Sequence, residues 1–370
     1  MSVVYVTEQG AMVTISGGCV AVRRGDALLR EVRLHELRQL VLLGHVGLSG
    51  KAVRVLLKES VDTVFLTRGG SYVGRLAAGL AGDVARRVEQ HRRFGDPAFA
   101  VPVARACITA KLANQRRLLL RAQRRLHDEA VARALTQLRA AQEAASRCED
   151  VDLLRGIEGR AAALYFGVFG RLLTAPGMAF TVRRRRPPPD AVNVLLSFGY
   201  TVLANALTGL CELASLDPGL GVLHAVARGR PSLALDLMEE FRPLLVDTAV
   251  VAAVNRRELG PGHFMRVGEE DEAPEEDAWA QEEARGEGDE GSRRKVAPDG
   301  AEEGCPSQVI FRREGVLTWA SALERRFREE TWYAPRGERM TYRQVLREQV
   351  YRLVRAIEGG EVYEGFEGVQ

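Results

Sequence analysis

Three acidic residues fall within five positions of an apolar segment in the second half of the sequence. The segment 232–243 reads SLALDLMEEFRP, and a helix there places Asp236, Glu239 and Glu240 on a shared side, at spacings of three and four residues. Like charges this close repel one another, so water, basic neighbours or a divalent cation must compensate them. Taken alone, the segment favours a solvated acidic helix face over a metal site.

A histidine just upstream makes the metal site an equally good interpretation. His224 ends the apolar, glycine-containing stretch 218–224, eight residues before the acidic helix. A lone histidine in such a stretch is more often a hydrogen-bonded interior residue, although imidazole is also a common metal ligand.

Glu158 is a third candidate, in the helix-forming stretch LLRGIEGR at 153–160. The alternative for this residue is a salt bridge to Arg155 or Arg160 on the same helix face. Two carboxylates and one imidazole suit Mg²⁺ or Mn²⁺, with water and phosphate oxygens as further ligands, and the imidazole makes Mn²⁺ at least as acceptable as Mg²⁺. Such an ion polarises a phosphoryl oxygen and lowers the pKa of an attacking hydroxyl. The sequence contains no Walker loop, dinucleotide fingerprint or Ser/His/Asp set that competes.

The net charge of +3 hides a large asymmetry. Between 268 and 304, fifteen acidic residues oppose four basic ones, so this segment carries −11 and the rest of the chain +14. A basic folded part indicates a polyanionic partner such as DNA, and an arginine-rich chain with solvated basic faces is the alternative.

The five cysteines are odd in number, far apart and without CxxC spacing, which indicates a reducing, cytoplasmic location and argues against a zinc site. We expect no signal peptide at the N-terminus. The charge-free stretch 191–211 is long enough to cross a bilayer, but its polar side chains and glycines favour a helix buried in a protein core, so no membrane partner is expected.

The pattern of apolar residues predicts an α+β protein with a small β-rich N-terminal domain (1–95) and a mostly α-helical catalytic domain (96–370). Strands are predicted at 3–7, 12–16, 20–24, 28–34, 39–43, 63–67 and 72–76, in a small sheet sandwich. One helix should interrupt them, from Ser49 as N-cap to about residue 59.

Helices are predicted from about 102 onward and at about 153–173, 189–213, 232–257, 317–330 and 342–357, with Ser232 as the N-cap of the acidic helix. The run 183–189, RRRRPPP, should be an exposed basic linker. The acidic segment 268–304 should be a disordered insertion.

Six blocks of the sequence resemble the CRISPR-associated integrase-endonuclease family, the first-numbered Cas protein ("Cas-one"). Three contain the candidate ligands: LLRGIEG at 153–159, GVLH at 221–224 and GRPSLALDLMEEFRP at 229–243. The other three are LLGHVGLS at 42–49, AKLANQR at 110–116 and RPPPDAVNVLLS at 186–197. Each block is weak alone, but six in order make a specific match over most of the chain.

The resemblance implies that Glu158, His224 and Glu239 bind the metal, and Asp236 is expected to help them as a neighbouring or alternative ligand. It further implies a homodimer that assembles with a second small protein ("Cas-two"). The implied reaction is attack by the 3′-OH of a prespacer on a phosphodiester at the edge of a CRISPR repeat. His45, Val222 and the acidic insertion depart from the family pattern. Candidate phosphate contacts are Arg183, Arg184, Arg185, Arg186, Arg228, Arg230 and Arg242.

Two other functions remain open from the sequence. A structure-selective nuclease would use the same metal site to activate water only. A non-catalytic DNA-binding or assembly protein would have a solvated acidic helix and no metal.

Overall fold

The computed structural model describes residues 2–76, 82–185, 187–267 and 308–368. In these ranges a strand-rich N-terminal part is followed by a helical part, which confirms the predicted α+β class. The acidic segment 268–304 and Arg186 lie outside the described residues.

The chain divides into two compact units. One comprises the described residues of Met1–Ala78, Arg184–Val194 and Pro261–Leu317, and the other those of Gly79–Arg183, Leu195–Gly260 and Thr318–Gln370. Each unit is built from segments that are far apart in sequence. The domain boundary expected near residue 95 stays a prediction.

The first unit contains eight strands: β1 Ser2–Val6, β2 Met12–Ser16, β3 Cys19–Arg24, β4 Ala27–Arg33, β5 Leu37–Leu43, β6 Gly47–Leu48, β7 Asp62–Leu66 and β8 Tyr72–Leu76. They form two four-stranded sheets, with the strand orders β1-β5-β7-β8 and β4-β3-β2-β6. The central strand β5 is buried along most of its length because it pairs in parallel with β1 on one side and β7 on the other.

Alternate residues of both sheets form one apolar core, which includes Val4, Val13, Val22 and Leu40. The helix α1, Gly50–Lys58, packs its buried Ala52 against this core. The side chain of Ser49 accepts a hydrogen bond from the Ala52 amide at 3.1 Å, so the predicted N-cap is confirmed.

Long helices dominate the remaining part. Their bounds are α2 Val84–Phe94, α3 Pro97–Leu126, α4 Glu129–Ser146, α5 Val151–Phe169, α6 Ala191–Leu213, α7 Ser232–Phe241, α8 Thr248–Asn255, α9 Arg313–Arg328 and α10 Tyr342–Ile357. The later sequence also forms two strand pairs: β9 Phe264–Val267 pairs with β10 Gln308–Phe311 within the first unit, and β11 Glu330–Tyr333 pairs with β12 Glu338–Thr341 within the second.

By length and composition α6 could cross a membrane, but 61% of its most apolar window is buried inside the protein. Its backbone approaches its neighbours closely, since a Cβ on Gly199 would lie 2.5 Å from the Val246 side chain. The indole nitrogen of Trp319 also donates to the Leu195 carbonyl at 3.1 Å. These contacts are those of a core helix.

The structure corrects the prediction of the acidic helix in two respects. The expected helix over 232–257 is divided by a π-helical turn, Arg242–Asp247, which contains Pro243, a residue without an amide hydrogen. Ser232 is the first helical residue, preceded by Pro231, and its hydroxyl donates to the Ala225 carbonyl at 2.9 Å instead of capping the helix.

At the end of this π-turn, the buried carboxylate of Asp247 accepts hydrogen bonds from Tyr200 at 2.5 Å and Tyr165 at 2.9 Å. Burial raises the pKa of Asp247 to about 6, although both hydroxyls favour its charged form. The hydrogen bonds therefore only partly offset the desolvation of the carboxylate.

We expect Asp247 to make unfolding pH-dependent. Because its pKa is higher in the folded chain than the usual 3.8, the stability that it contributes below about pH 4 is lost as the pH rises through 6. A shift of this size corresponds to a loss of at most about 3 kcal/mol. Urea unfolding from pH 4 to 8 should therefore show a flatter pH dependence for Asp247→Asn than for the parent. The exposed control Glu149→Gln should match the parent, and equal slopes for all three proteins would contradict the assignment.

Candidate metal centre

Glu239 lies in the last turn of α7, a helix in which every residue except the half-buried Leu235 is buried. Three cationic or potentially cationic groups face its carboxylate: Lys111 Nζ lies 2.5 Å from Oε2, Arg242 Nε 3.1 Å from Oε1, and His224 Nε2 3.8 Å from Oε1. Burial alone would raise the pKa of Glu239, but Arg242, Lys111 and His224 outweigh it and lower this pKa to about 2. Glu239 is therefore a buried anion across the neutral pH range.

Glu158 projects from α5 toward the same point. One of its carboxylate oxygens is hydrogen-bonded to Lys111, the residue that also contacts Glu239. The Glu158 side chain is 28% exposed, against 5% for Glu239, so the centre opens toward solvent on the Glu158 side. The ammonium of Lys111 thus lies between two carboxylates from separate helices.

Arg155 is not the partner of Glu158. Its guanidinium contacts Asp152 one turn earlier, and its Nε donates to the Leu223 carbonyl at 2.6 Å. The arginine therefore connects α5 to the loop that precedes His224.

Asp236 holds that loop. Its buried carboxylate accepts backbone hydrogen bonds from Val222 at 2.6 Å, Leu223 at 2.9 Å and His224 at 2.8 Å, and it lies 2.7 Å from Nδ1 of the His224 ring. In the neutral ring, donation from Nδ1 leaves the lone pair on Nε2, the atom that faces Glu239. Asp236 thus orients the histidine and does not itself face Glu158.

Glu240 points away from this centre. Tyr363 donates to one of its oxygens at 2.5 Å, while Gln349 at 3.2 Å and the Phe366 amide donate to the other. Burial raises the pKa of Glu240 to about 7 against these hydrogen bonds. This carboxylate anchors the C-terminal segment.

The interpretation of α7 as a solvated acidic face is wrong. All three of its acidic residues are buried, with relative exposures of 0% for Asp236, 3% for Glu239 and 0% for Glu240. Hydrogen-bond donors and cations of the protein compensate these charges.

The side chains that converge here fit a divalent cation. Two carboxylates and an imidazole nitrogen are acceptable ligands for Mg²⁺ or Mn²⁺. Oε2 of Glu239 is buried and lies 2.5 Å from the Lys111 ammonium, so this oxygen already faces a positive charge. Among the described residues, no group of three His, Cys, Asp or Glu side chains is arranged to hold an ion, because Lys111 lies between Glu158 and Glu239.

The predicted phosphate-binding arginines occupy different environments. Arg242 stacks on the Tyr200 ring, with its guanidinium carbon 4.6 Å from the ring centroid, and half-buried Arg183 lies 5.5 Å from the same centroid. Arg230 is half-buried, and three others are exposed, namely Arg184, Arg185 and Arg228.

Two functional residues escaped the sequence analysis. The sequence indicates Lys111 only as part of the block AKLANQR, and Arg155 only as a possible partner of Glu158. A signal for Lys111 is present, because it is the one charged residue of the stretch ACITAKLAN at 106–114.

Comparison with known proteins identifies the family. The family model described as CRISPR associated protein Cas1 matches residues 4–275. CRISPR-associated endonuclease Cas1 2 of Rhodospirillum rubrum is 37% identical over 280 residues, which cover 72% of this chain and 80% of that protein. The chain belongs to the Cas1 family. The resemblance inferred from the six sequence blocks is confirmed, and with it a place among the CRISPR-associated endonucleases and integrases.

Two solved structures share the fold of this Cas1-family chain. A Cas6-RT-Cas1–Cas2 complex gives a TM-score of 0.78 at 20% identity, covering 100% of this chain and 36% of that one. A casposase bound to integration product gives 0.77 at 18% identity, covering 99% of this chain and 93% of that one. At these identities the likeness establishes the fold alone.

The loop before His224 depends on a glycine. A Cβ on Gly221 would lie 2.6 Å from Asp236 Oδ2 and 2.8 Å from the Ser232 carbonyl carbon, so Gly221→Ala must displace the loop from Asp236. We expect about 1–3 kcal/mol lower stability and about tenfold or greater loss of DNA cleavage. Denaturant unfolding and a nuclease assay measure the two effects. Gly167→Ala, in open space on α5, is the control and should cleave normally, whereas a fully active Gly221→Ala protein would show that the loop position is unimportant.

Proposed function

We propose that this protein is a divalent-metal-dependent DNA endonuclease and integrase of CRISPR adaptation, with Glu158, His224 and Glu239 as the metal ligands. The observation that carries the proposal is that Glu158 and Glu239 share one ammonium, while His224 faces the other carboxylate oxygen of Glu239. Two carboxylates that share a largely buried position need positive charge between them.

A bound Mg²⁺ or Mn²⁺ would supply Lewis acidity toward a phosphodiester and its attacking hydroxyl. The chain's own groups prepare the site for it. Asp236 fixes the ring of His224, Arg155 fixes the loop carbonyl at Leu223, and Arg242 keeps Glu239 ionised and oriented. The partial exposure of Glu158 leaves one side of the centre accessible to DNA.

DNA is the proposed substrate and the principal partner. Outside the acidic segment the chain carries +14, and it has basic residues close in sequence to the metal ligands. Arg228, Arg230 and Arg242 follow His224 or Glu239 within six residues, so they are the first candidates for phosphate contacts at the reacting strand. Arg183, Arg184, Arg185 and Arg186 are further candidates for phosphate contacts.

Joining as well as cutting is part of the proposal. We infer that the 3′-OH of a prespacer attacks a phosphodiester at the edge of a CRISPR repeat, a transesterification that needs no nucleotide cofactor. One structure with the same fold is of a casposase bound to an integration product, and another is of a complex that contains Cas1 and Cas2. The proposal also includes a homodimer, a Cas2 partner and a cytoplasmic location.

The three ligands should each be essential for chemistry. We expect Glu158→Gln, His224→Ala and Glu239→Gln to lower DNA cleavage and joining by about a hundredfold or more, with DNA affinity near that of the parent. Gel assays with labelled DNA in Mn²⁺ and in EDTA measure the reactions, and thermal unfolding checks folding. Glu129→Gln, whose side chain is 91% exposed in the parent, is the control for loss of a carboxylate. Equal activity in EDTA and in Mn²⁺ would refute the metal site.

A structure-selective nuclease that activates only water is the second candidate, because the same ligands serve both reactions. A prespacer with a blocked 3′ end separates the two. We expect the block to abolish strand joining while hydrolysis of branched DNA continues, since only joining uses the DNA hydroxyl. If no joining occurs even with a free 3′-OH, the protein is a nuclease alone.

The non-catalytic alternative is not favoured. It requires the acidic residues of α7 to be solvated, whereas Asp236, Glu239 and Glu240 are all buried and contact donors or cations.

A further inference from the structure

We propose that Lys111 is a tethered cation that takes the place of the metal in the resting protein and must leave Glu158 and Glu239 when a divalent ion binds. This inference rests on the proposed metal site and concerns which cation occupies that site when no metal is bound.

The first argument is position. The Lys111 side chain is only 7% exposed, and its Nζ contacts both proposed carboxylate ligands, one from α5 and one from α7. Among the described residues, no other cation forms an ion pair with both Glu158 and Glu239. A metal ion that shares these two carboxylates therefore needs the space that the ammonium occupies.

The second argument is the type of residue. Only four of the 52 basic residues are lysines, namely Lys51, Lys58, Lys111 and Lys295. An ammonium is a compact point charge on a flexible stem, whereas a guanidinium is planar and holds carboxylates in a rigid fork. Most basic residues of the chain are arginines, yet a lysine lies between the two carboxylates. Its ammonium resembles a metal ion more closely than a guanidinium does, and it rotates away more easily.

The third argument is the charge that each cation carries. Oε2 of Glu239 is buried and lies 2.5 Å from the ammonium, so a single positive charge already compensates this oxygen. A divalent ion replaces such a contact with a stronger one because it carries twice the charge. The more exposed Glu158 side gives the lysine stem a direction in which to move.

The charge balance also suggests when the exchange is favourable. Lys111 and Arg242 already neutralise Glu158 and Glu239, so exchange of the Lys111 ammonium for a divalent ion leaves one uncompensated positive charge in a largely buried site. Phosphate groups of bound DNA would compensate this charge. Lys111 therefore makes metal binding weak in free protein and stronger once DNA is present.

Removing the ammonium should strengthen metal binding. For the full-length protein without DNA, calorimetric titration with Mn²⁺ should show about tenfold or tighter binding for Lys111→Met than for the parent. Lys111→Arg keeps the charge in a group that does not vacate the site easily, so it should bind Mn²⁺ more weakly than Lys111→Met. Lys51→Met removes an exposed lysine and should match the parent.

Stability gives a second readout, because it does not require activity. Without metal, Lys111→Met removes the cation that Glu158 and Glu239 share, so it should unfold about 5 °C or more below the parent. Saturating Mn²⁺ should raise its unfolding temperature by more than it raises that of the parent. If Lys111→Met does not fold, labelling of the parent still tests the proposal.

Lysine labelling follows the ammonium directly. Reductive methylation with mass spectrometry should leave Lys111 unmodified in EDTA, while the exposed Lys51 and Lys58 react fully. Saturating Mn²⁺ should increase the labelling of Lys111 and leave the two reference lysines unchanged.

The outcomes separate this inference from the proposed function. If the parent binds Mn²⁺ but Lys111→Met binds it no more tightly, or Lys111 stays protected with metal bound, the tethered-cation proposal is wrong and the metal site stands. If neither the parent nor Lys111→Met binds Mn²⁺, both proposals fail together.

Discussion

The centre of this protein depends on the compensation of buried charge around Glu239. A carboxylate that is 5% exposed is stable only with cations and donors close to it, and here Lys111 comes from α3, Arg242 from the π-turn and His224 from a loop. Each of these three groups belongs to a different element of the fold. The need to neutralise one side chain therefore fixes the mutual positions of several segments.

A second carboxylate performs a structural task of the same kind. Asp236 accepts hydrogen bonds from three consecutive backbone amides and faces the His224 ring. Its carboxylate therefore replaces the carbonyl oxygens to which these amides would donate in a helix or sheet. This arrangement requires the backbone to approach closely at Gly221. The orientation of an imidazole is thus determined by a glycine three residues earlier and an acid twelve residues later.

Short sequence patterns predict most helices and strands, but they do not predict which distant residues contact each other in the fold. The Ser49 cap of α1 and the bounds of α10 follow from patterns within a few residues, and both agree with the structure. The expected cap at Ser232 failed because its hydroxyl bonds to the Ala225 carbonyl, a contact set by the path of the preceding loop. The role of Lys111 could not be predicted from α3 alone, because both of its carboxylate partners lie more than forty residues further along the chain.

The geometry of an α-helix explains why the three acids of α7 serve three purposes. With about 3.6 residues per turn, neighbouring side chains point about 100° apart, so Glu239 and Glu240 cannot face one ion although they are adjacent. Asp236 lies between them in angle, about 60° from Glu239 and about 40° from Glu240. In a solvated helix this difference would matter little, but in a buried helix each direction meets a different neighbour. Glu239 meets the cations, Asp236 the histidine loop, and Glu240 the C-terminal segment with Tyr363. The same spacing that indicated a shared acidic face therefore produces one proposed ligand, one support for a second ligand and one anchor for the chain's end.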